Sequence, residues 1–463
     1  MLATPLSPKV ILQQPFHSSA ATKSVKPKHY KFCLTMIGMA LDMSRLGASN
    51  RLIPKLIGAL QRYCTDLLEL PSYGTVRNWV AIQSLFYLDP ANQSGDAHAP
   101  WCIIADLSIT IGGQRLLLIL GVDLNKYDHS QPLEIGDIQV LGLASRTLKG
   151  WTAEDVAAYL RNHILSHYSV LYMVSDAGPN LVKAAKILDL PRVSDVSHAV
   201  ALDLKLAYNQ LPDFERFTRK CAHLRRYNSI NDFVPLRPPR LRDKARFMNI
   251  SYLIDWAYDM LQILEGRYDQ KYLKGEPLSD THRHKLSWLL EFKDMIYKMY
   301  AEMKLINNLI RGLKMEGVSE QTVQWAKSHL QGNHARQCMQ PRVRLGLLNY
   351  LDEQLLVTKQ VNLAQVICST DILESCFGYY KQSSPGTRMY TRQPLRIACY
   401  GRPLVRAEQV KLMMESRRII DVEMAMKHEG YMKITSPHQI TTQTTLKPDG
   451  ESHKGDNQTF LSP

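Results

Sequence analysis

Apolar and polar positions alternate in two different rhythms along this chain. Residues 101–111, 114–122 and 138–144 are short, mostly apolar runs, the first two separated by Gly112-Gly113, which reads as a hairpin turn. Residues 152–167 shift to helical spacing, with Trp151, Val156, Tyr159, Leu160 and Ile164 on one side. The run 170–175 predicts a strand buried on both faces. A helix over 178–188, a strand over 192–196 and a helix over 198–210 follow. Upstream, helices are predicted over 30–46, 51–70 and 75–88, with Ser49 and Thr75 as N-caps. Downstream, 252–264, 280–313, 320–329 and 342–359 all have helical spacing, after a loop marked by Pro235, Pro238 and Pro239.

These elements divide the chain. Residues 1–28 are expected to be disordered. Residues 29–95 form a helical unit whose last two helices, joined by a glycine-containing turn, fit a helix-turn-helix. In that arrangement Thr75, Arg77, Asn78 and Gln83 would face the major groove of DNA; an ordinary helical bundle is the alternative. Residues 96–210 begin an α/β domain, 211–362 form an all-helical insertion, 363–433 return to the first domain, and 434–463 make a mobile tail.

One position changes the picture. Asp106 lies within the otherwise apolar run Trp-Cys-Ile-Ile-Ala-Asp-Leu-Ser-Ile-Thr-Ile. A carboxylate there is costly to bury unless it is paired or holds a metal. Asp176 ends the run Ser-Val-Leu-Tyr-Met-Val-Ser-Asp, and Glu374 lies in Ser-Thr-Asp-Ile-Leu-Glu-Ser-Cys-Phe-Gly-Tyr-Tyr-Lys. The order strand-strand-strand-helix-strand-helix-strand-helix is that of the ribonuclease H-like fold, a mixed sheet in which the first and fourth strands are parallel neighbours. Asp106 and Asp176 would then converge at the carboxyl end of the sheet. Glu374, beyond the insertion, would sit on the closing helix. Three carboxylates offer the hard oxygen donors that Mg²⁺ prefers, and two such ions can serve both sides of a phosphodiester exchange.

Other acids compete. Asp123 ends the second strand but falls on the order of 13 Å out of register with Asp106. Asp371 suits the helix N-terminus. Asp195, with His198, suits a cap of the following helix. The pairs Asp195-x-x-His198 and His282-x-His284 are thin evidence for a metal.

Composition narrows the partner. The chain has 463 residues, with 57 Lys plus Arg against 43 Asp plus Glu and a net charge of +14, which favours a polyanion. No apolar run reaches the ~18–20 residues of a membrane span, and no secretory signal is expected. The eight cysteines are scattered without a Cys-x-x-Cys pair, as for small core residues in a reducing compartment.

The segments Ile-Ala-Asp-Leu-Ser-Ile (104–109), Leu-Ile-Leu-Gly-Val (118–122), Val-Ser-Asp-Ala-Gly-Pro-Asn (174–180), Asp-Val-Ser-His (195–198) and the Glu374 segment quoted above resemble bacterial insertion-sequence transposases. These are the Asp-Asp-Glu (DDE) enzymes with a ribonuclease H-like core. Lys-Ala-Arg-Phe-Met-Asn (244–249) and the run after it look like their helical insertion. The resemblance covers roughly residues 45–385. It implies that Asp106, Asp176 and Glu374 bind two Mg²⁺ ions, with Mn²⁺ able to substitute. It also implies hydrolysis at element ends, attack of the 3′-hydroxyl on target DNA, a homodimer on double-stranded DNA, and a cytoplasmic, nucleoid-associated location. In a large group of these enzymes Tyr and Arg precede the last acid; here Ile367 and Thr370 hold those places, whereas Lys381 fits and becomes a candidate phosphate contact. Insertion-domain tryptophans of such enzymes can meet a flipped base; Trp256, Trp288 and Trp325 are the candidates. Asn180 and Lys183 are further possible DNA contacts. A structure-specific nuclease on the same core and a non-catalytic DNA-binding regulator are the rival readings.

Overall fold

The computed structural model describes residues 26–28, 30–63, 69–93, 96–111, 114–146, 150–227, 233–241, 247–267, 271–383, 392–402 and 405–428. The expected Gly112-Gly113 turn, the segment 1–25 and the tail 434–463 lie outside these residues.

Three helices come first: α1 (Leu34–Arg45), α2 (Ile53–Leu60) and α3 (Tyr73–Leu88). Ser72, and not Thr75, caps α3: its hydroxyl accepts from the Thr75 amide at 3.1 Å. Likewise Ser49 lies outside α2, which starts after Leu52 without a side-chain cap. Strands β1 (Pro100–Ile111), β2 (Gln114–Asp123) and β3 (Ile138–Arg146) then lead to α4 (Ala153–Leu160), β4 (Ser169–Ser175), α5 (Pro179–Ile187), β5 (Arg192–Ser194) and α6 (Val196–Tyr208). The sheet order is β3-β2-β1-β4-β5. The β1–β2 and β2–β3 pairs are antiparallel, and β1–β4 and β4–β5 are parallel.

Strand alternation sorts side chains onto two faces. Trp101, Ile103, Ala105, Leu117, Ile119 and Met173 pack against Val156 and Leu160 of α4 and Leu181 and Ala184 of α5. Thr152 and Asp155 form a capping box that starts α4. Cys102, Ile104, Leu118, Tyr172 and Val174 point the other way, into a core shared with α3, α6 and the returning chain.

The insertion runs through α7 (Pro212–Tyr227), α8 (Ile250–Leu264), α9 (Asp280–Leu286), α10 (Lys293–Glu316), the two-residue β6 (Val318–Ser319), α11 (Glu320–Gln331), α12 (Asn333–Cys338) and α13 (Pro341–Gln360). The single helix expected over 280–313 is interrupted by a 3-10 segment, Ser287–Phe292. Leu286, Leu289 and Phe292 are all buried. Their spacing of three matches the three residues per turn of that tighter helix.

Strand β7 (Gln365–Val366) pairs with β6 and closes the insertion. Gly317 makes this possible: its φ is +67°, and a Cβ there would lie 2.7 Å from the Val366 carbonyl oxygen. Helix α14 (Asp371–Ser383) then returns to β1, and a 3-10 segment, Gln393–Cys399, packs on α3 and β3. Helices α15 (Ala407–Ser416) and α16 (Ile419–His428) complete the layer around α3. All cysteines among the described residues are free. No helix among them is long and apolar enough to cross a membrane.

Candidate catalytic carboxylate site

Register brings the first two acids together. Ala105 lies opposite Ser175 in the parallel β1–β4 pair, so Asp106 and Asp176 occupy the next level on adjacent strands. Neighbouring strands lie about 4.8 Å apart. Ile104 and Val174, two residues earlier, share one core, which puts both acids on the same face. Asp176 is further fixed by its own loop: its Oδ1 accepts from the Gly178 amide at 2.9 Å, and Arg192 donates to its carbonyl at 3.1 Å. Asp123 pairs with Trp101, five positions along β1 from Asp106, and lies at the far end of the sheet.

Asp195 ties the third acid's helix to this end. It caps α6 by accepting from the His198 amide at 2.8 Å, and its other carboxylate oxygen accepts from the Thr370 amide (2.7 Å) and hydroxyl (2.9 Å). Thr370 immediately precedes α14, so a fully buried carboxylate joins α6 to the start of the Glu374 helix. The Val196 amide adds a bond to the Cys368 carbonyl at 3.0 Å. Leu373, Cys376 and Phe377 bury the inner side of α14, while Glu374 is exposed and Asp371 pairs with Lys314 at 2.5 Å.

Sequence pattern offers His198 only as a weak metal ligand or a capping partner. Its Nδ1 lies 3.0 Å from Asp195 Oδ1. Its pKa is raised, first by that hydrogen bond and then by the charges of Asp195, Asp176 and Asp106, against burial that lowers it. The ring therefore senses both candidate acids. Burial pushes the Asp195 carboxyl up, but the hydrogen bonds and charge of His198 and the Thr370 amide bond outweigh it and leave it lowered.

The donor set is right for a hard cation, with two aspartates on neighbouring strand ends. Among the described residues, however, no three His, Cys, Asp or Glu side chains are grouped closely enough to hold a metal ion. The fit therefore extends to the Asp106–Asp176 pair, with Glu374 standing apart from it.

Two of the candidate DNA contacts, Gln83 and Trp256, are placed differently from expectation. Helix α3 is a core element, and Gln83 is buried against Cys399, whose Sγ lies 3.4 Å from its Oε1. Gln83 cannot face a groove, which corrects that part of the helix-turn-helix reading. Arg77 lies over the Tyr73 ring, and Asn78 accepts from Arg392 at 3.2 Å. Trp256 is buried and donates to the Leu236 carbonyl, and Trp325 is half-buried beside His329. Trp288 is half-buried and packs on Phe217 and Phe292. Asn180 donates to the Trp151 carbonyl at 2.6 Å, and Lys183 pairs with Glu154 at 2.7 Å. Lys381 lies in α14, with its side chain outside the described residues.

No family model matches the chain, and no curated protein matches it. The bacterial insertion-sequence family suggested by the sequence is therefore not shown. Among solved structures, the chain is similar to the Drosophila P element transposase strand transfer complex. The identity is 13%, the match covers 80% of this chain and 92% of that one, and the TM-score is 0.43. A likeness of that size shows neither membership nor activity.

Proposed function

We propose that this chain is a DNA transposase of the Asp-Asp-Glu type, with a ribonuclease H-like catalytic domain split by its helical insertion. What supports the reading is the β1–β4 register: Ala105 lies opposite Ser175, so Asp106 and Asp176 each follow by one residue at the same end of the two parallel strands. The helix bearing Glu374 is latched to the same end of the sheet through Asp195. Double-stranded DNA is the substrate, and two protein copies on paired element ends are the working assembly.

Asp106 and Asp176 would hold Mg²⁺ or Mn²⁺; Glu374, on the latched helix, is the third acid of the pattern but stands apart from that pair. The metal would supply charge to activate the attacking oxygen and stabilise the leaving one. The protein's own residues do the positioning. The β1–β4 ladder fixes the spacing of the two aspartates, and the Gly178 amide orients the Asp176 carboxylate. Asp195 holds the His198 ring at the edge of the site, where it can bear a proton next to the two acids. The net positive charge of the chain draws DNA to a locally negative site.

Cleavage and strand-transfer assays with Mg²⁺ on the DNA flanking the gene test the proposal. Cutting followed by joining of the 3′-hydroxyl supports it. Cutting without joining would assign the chain to a nuclease, and binding without cutting to a regulator.

A further inference from the structure

Helix α7 carries its cations in two groups. On the first turns each has an acidic partner: Arg216 with Asp213 (3.2 Å) and Glu291 (3.3 Å), Arg219 with Glu215 (2.6 Å), and Lys220 with Glu291 (2.9 Å). The last turn differs. Among the described residues, neither Arg225 nor Arg226 has a carboxylate partner.

The loop 233–241 brings two more arginines to the same place. Arg225 Nη1 donates to the Pro238 carbonyl at 2.6 Å, which sets Arg237 and Arg240 beside it. Burial lowers the Arg225 pKa, and the charges of Arg237 and Arg240 lower it further, so both lie close enough to oppose the charge of Arg225. The loop is held rather than loose. Phe233 and Leu236 are buried, and Trp256 donates to the Leu236 carbonyl at 3.0 Å. Pro235, Pro238 and Pro239 restrict its backbone. Among the described residues Arg237 and Arg240 also lack a carboxylate partner.

Arg225 held beside Arg237 and Arg240, with Arg226 next to it on the helix and no acid paired with any of the four among the described residues, is unfavourable in the free protein. The negative end of the α7 dipole offsets only those on its last turn. Arg237 and Arg240 are off the helix and need another anion. Guanidinium groups match phosphate oxygens in a two-pronged geometry, and phosphate contacts carry no base sequence.

We propose that Arg225, Arg226, Arg237 and Arg240 form a platform on the insertion that grips the DNA phosphate backbone, independently of sequence. This rests on the reading that the chain acts on DNA. Its test is the salt dependence of full-length protein binding to a short random-sequence duplex, followed by fluorescence anisotropy.

Removing one arginine–phosphate pairing lowers the slope of log affinity against log salt by about 0.9. Arg226→Gln with Arg240→Gln, both at exposed positions, is expected to lower it by about 2, and replacing all four arginines by about 3 to 4. The four Arg→Lys changes keep the slope, and Arg219→Gln, on the acid-paired turn, leaves it unchanged. An unaltered slope in the double and quadruple variants overturns the platform while leaving DNA as the partner. An equal drop with Arg219→Gln also overturns it, by showing a general charge effect. Displacement of the duplex by a nucleoside triphosphate in wild-type protein but not in the quadruple variant would reassign the platform to a free polyphosphate. Absence of duplex binding by wild-type protein would instead sink the reading of DNA as substrate.

Discussion

On one face of the sheet, β1 to β4 pack against α4 and α5, all within residues 100–187. On the other face the covering elements come from 73–88, 371–383 and 393–399, with α6 (Val196–Tyr208) alone following directly on the strands in the chain. The first face closes from local connections. The second exists only once the chain has crossed the whole insertion and come back. The candidate acids sit on the second face. The scaffold for Asp106 and Asp176 is thus set early in the chain, and the helix carrying Glu374 is added by long-range contacts through Thr370 and Asp195.

The largest expected effect separates chemistry from scaffold. On the proposed function, Asp106→Asn should cut DNA cleavage by at least on the order of 10²–10³-fold, since it removes one charge from the proposed metal-binding pair. Duplex affinity and thermal stability should stay near wild type. A variant that still cleaves normally would remove Asp106 from the site.

Substitutions in the two cores set the faces against each other. Leu160→Ala and Leu373→Ala should each cost about 2–5 kcal/mol, measured by denaturant unfolding, because both side chains are fully buried. Leu160→Ala should leave cleavage per folded molecule intact, whereas Leu373→Ala should lower it by loosening α14. Equal activities for the two would contradict the division of labour.

The latch gives a smaller effect. Thr370→Val removes the hydroxyl bond to buried Asp195 and should cost about 1–3 kcal/mol. The pH dependence of unfolding reads the same pair. The raised His198 pKa contributes stability that is fully present below its ordinary value of 6.5 and lost as pH rises through the folded value. The lowered Asp195 pKa contributes stability present above 3.8 and lost as pH falls through its folded value. His198→Gln should flatten the upper limb and also shrink the lower one, because the His198 side chain supplies part of what holds the Asp195 carboxyl down; an unchanged lower limb would show that the two groups are not coupled.

An effect of similar size, confined to high pH, lies in the insertion. Glu302 is buried, bonded to the Tyr208 hydroxyl, and accepts from the Gln340 amide at 2.9 Å. Burial raises its pKa from 4.5 to about 7. Its contribution is therefore largest below 4.5 and falls as pH rises through about 7. Glu302→Gln keeps an acceptor without the charge and should make the variant more stable than wild type at pH 8, by on the order of 2 kcal/mol. A parallel pH profile for the two proteins would show that the carboxyl is not held neutral.

Residue pattern alone determined a good deal here. The three strands, the crossover helix and the apolar run 170–175 follow from periods of two and 3.6, because each element must bury one face. An acid inside an apolar strand marked Asp106 for the same reason. Pattern could not tell that α3 is a core helix: its amphipathic spacing fits exposure on a groove as well as burial, and only its packing against 393–399 decides. Nor could it find the Asp195–Thr370 latch, whose partners are 175 residues apart. The arginine platform is similar, since α7 and the proline loop meet only in three dimensions. Local spacing fixes which side a residue takes; what stands opposite it is decided by tertiary contacts.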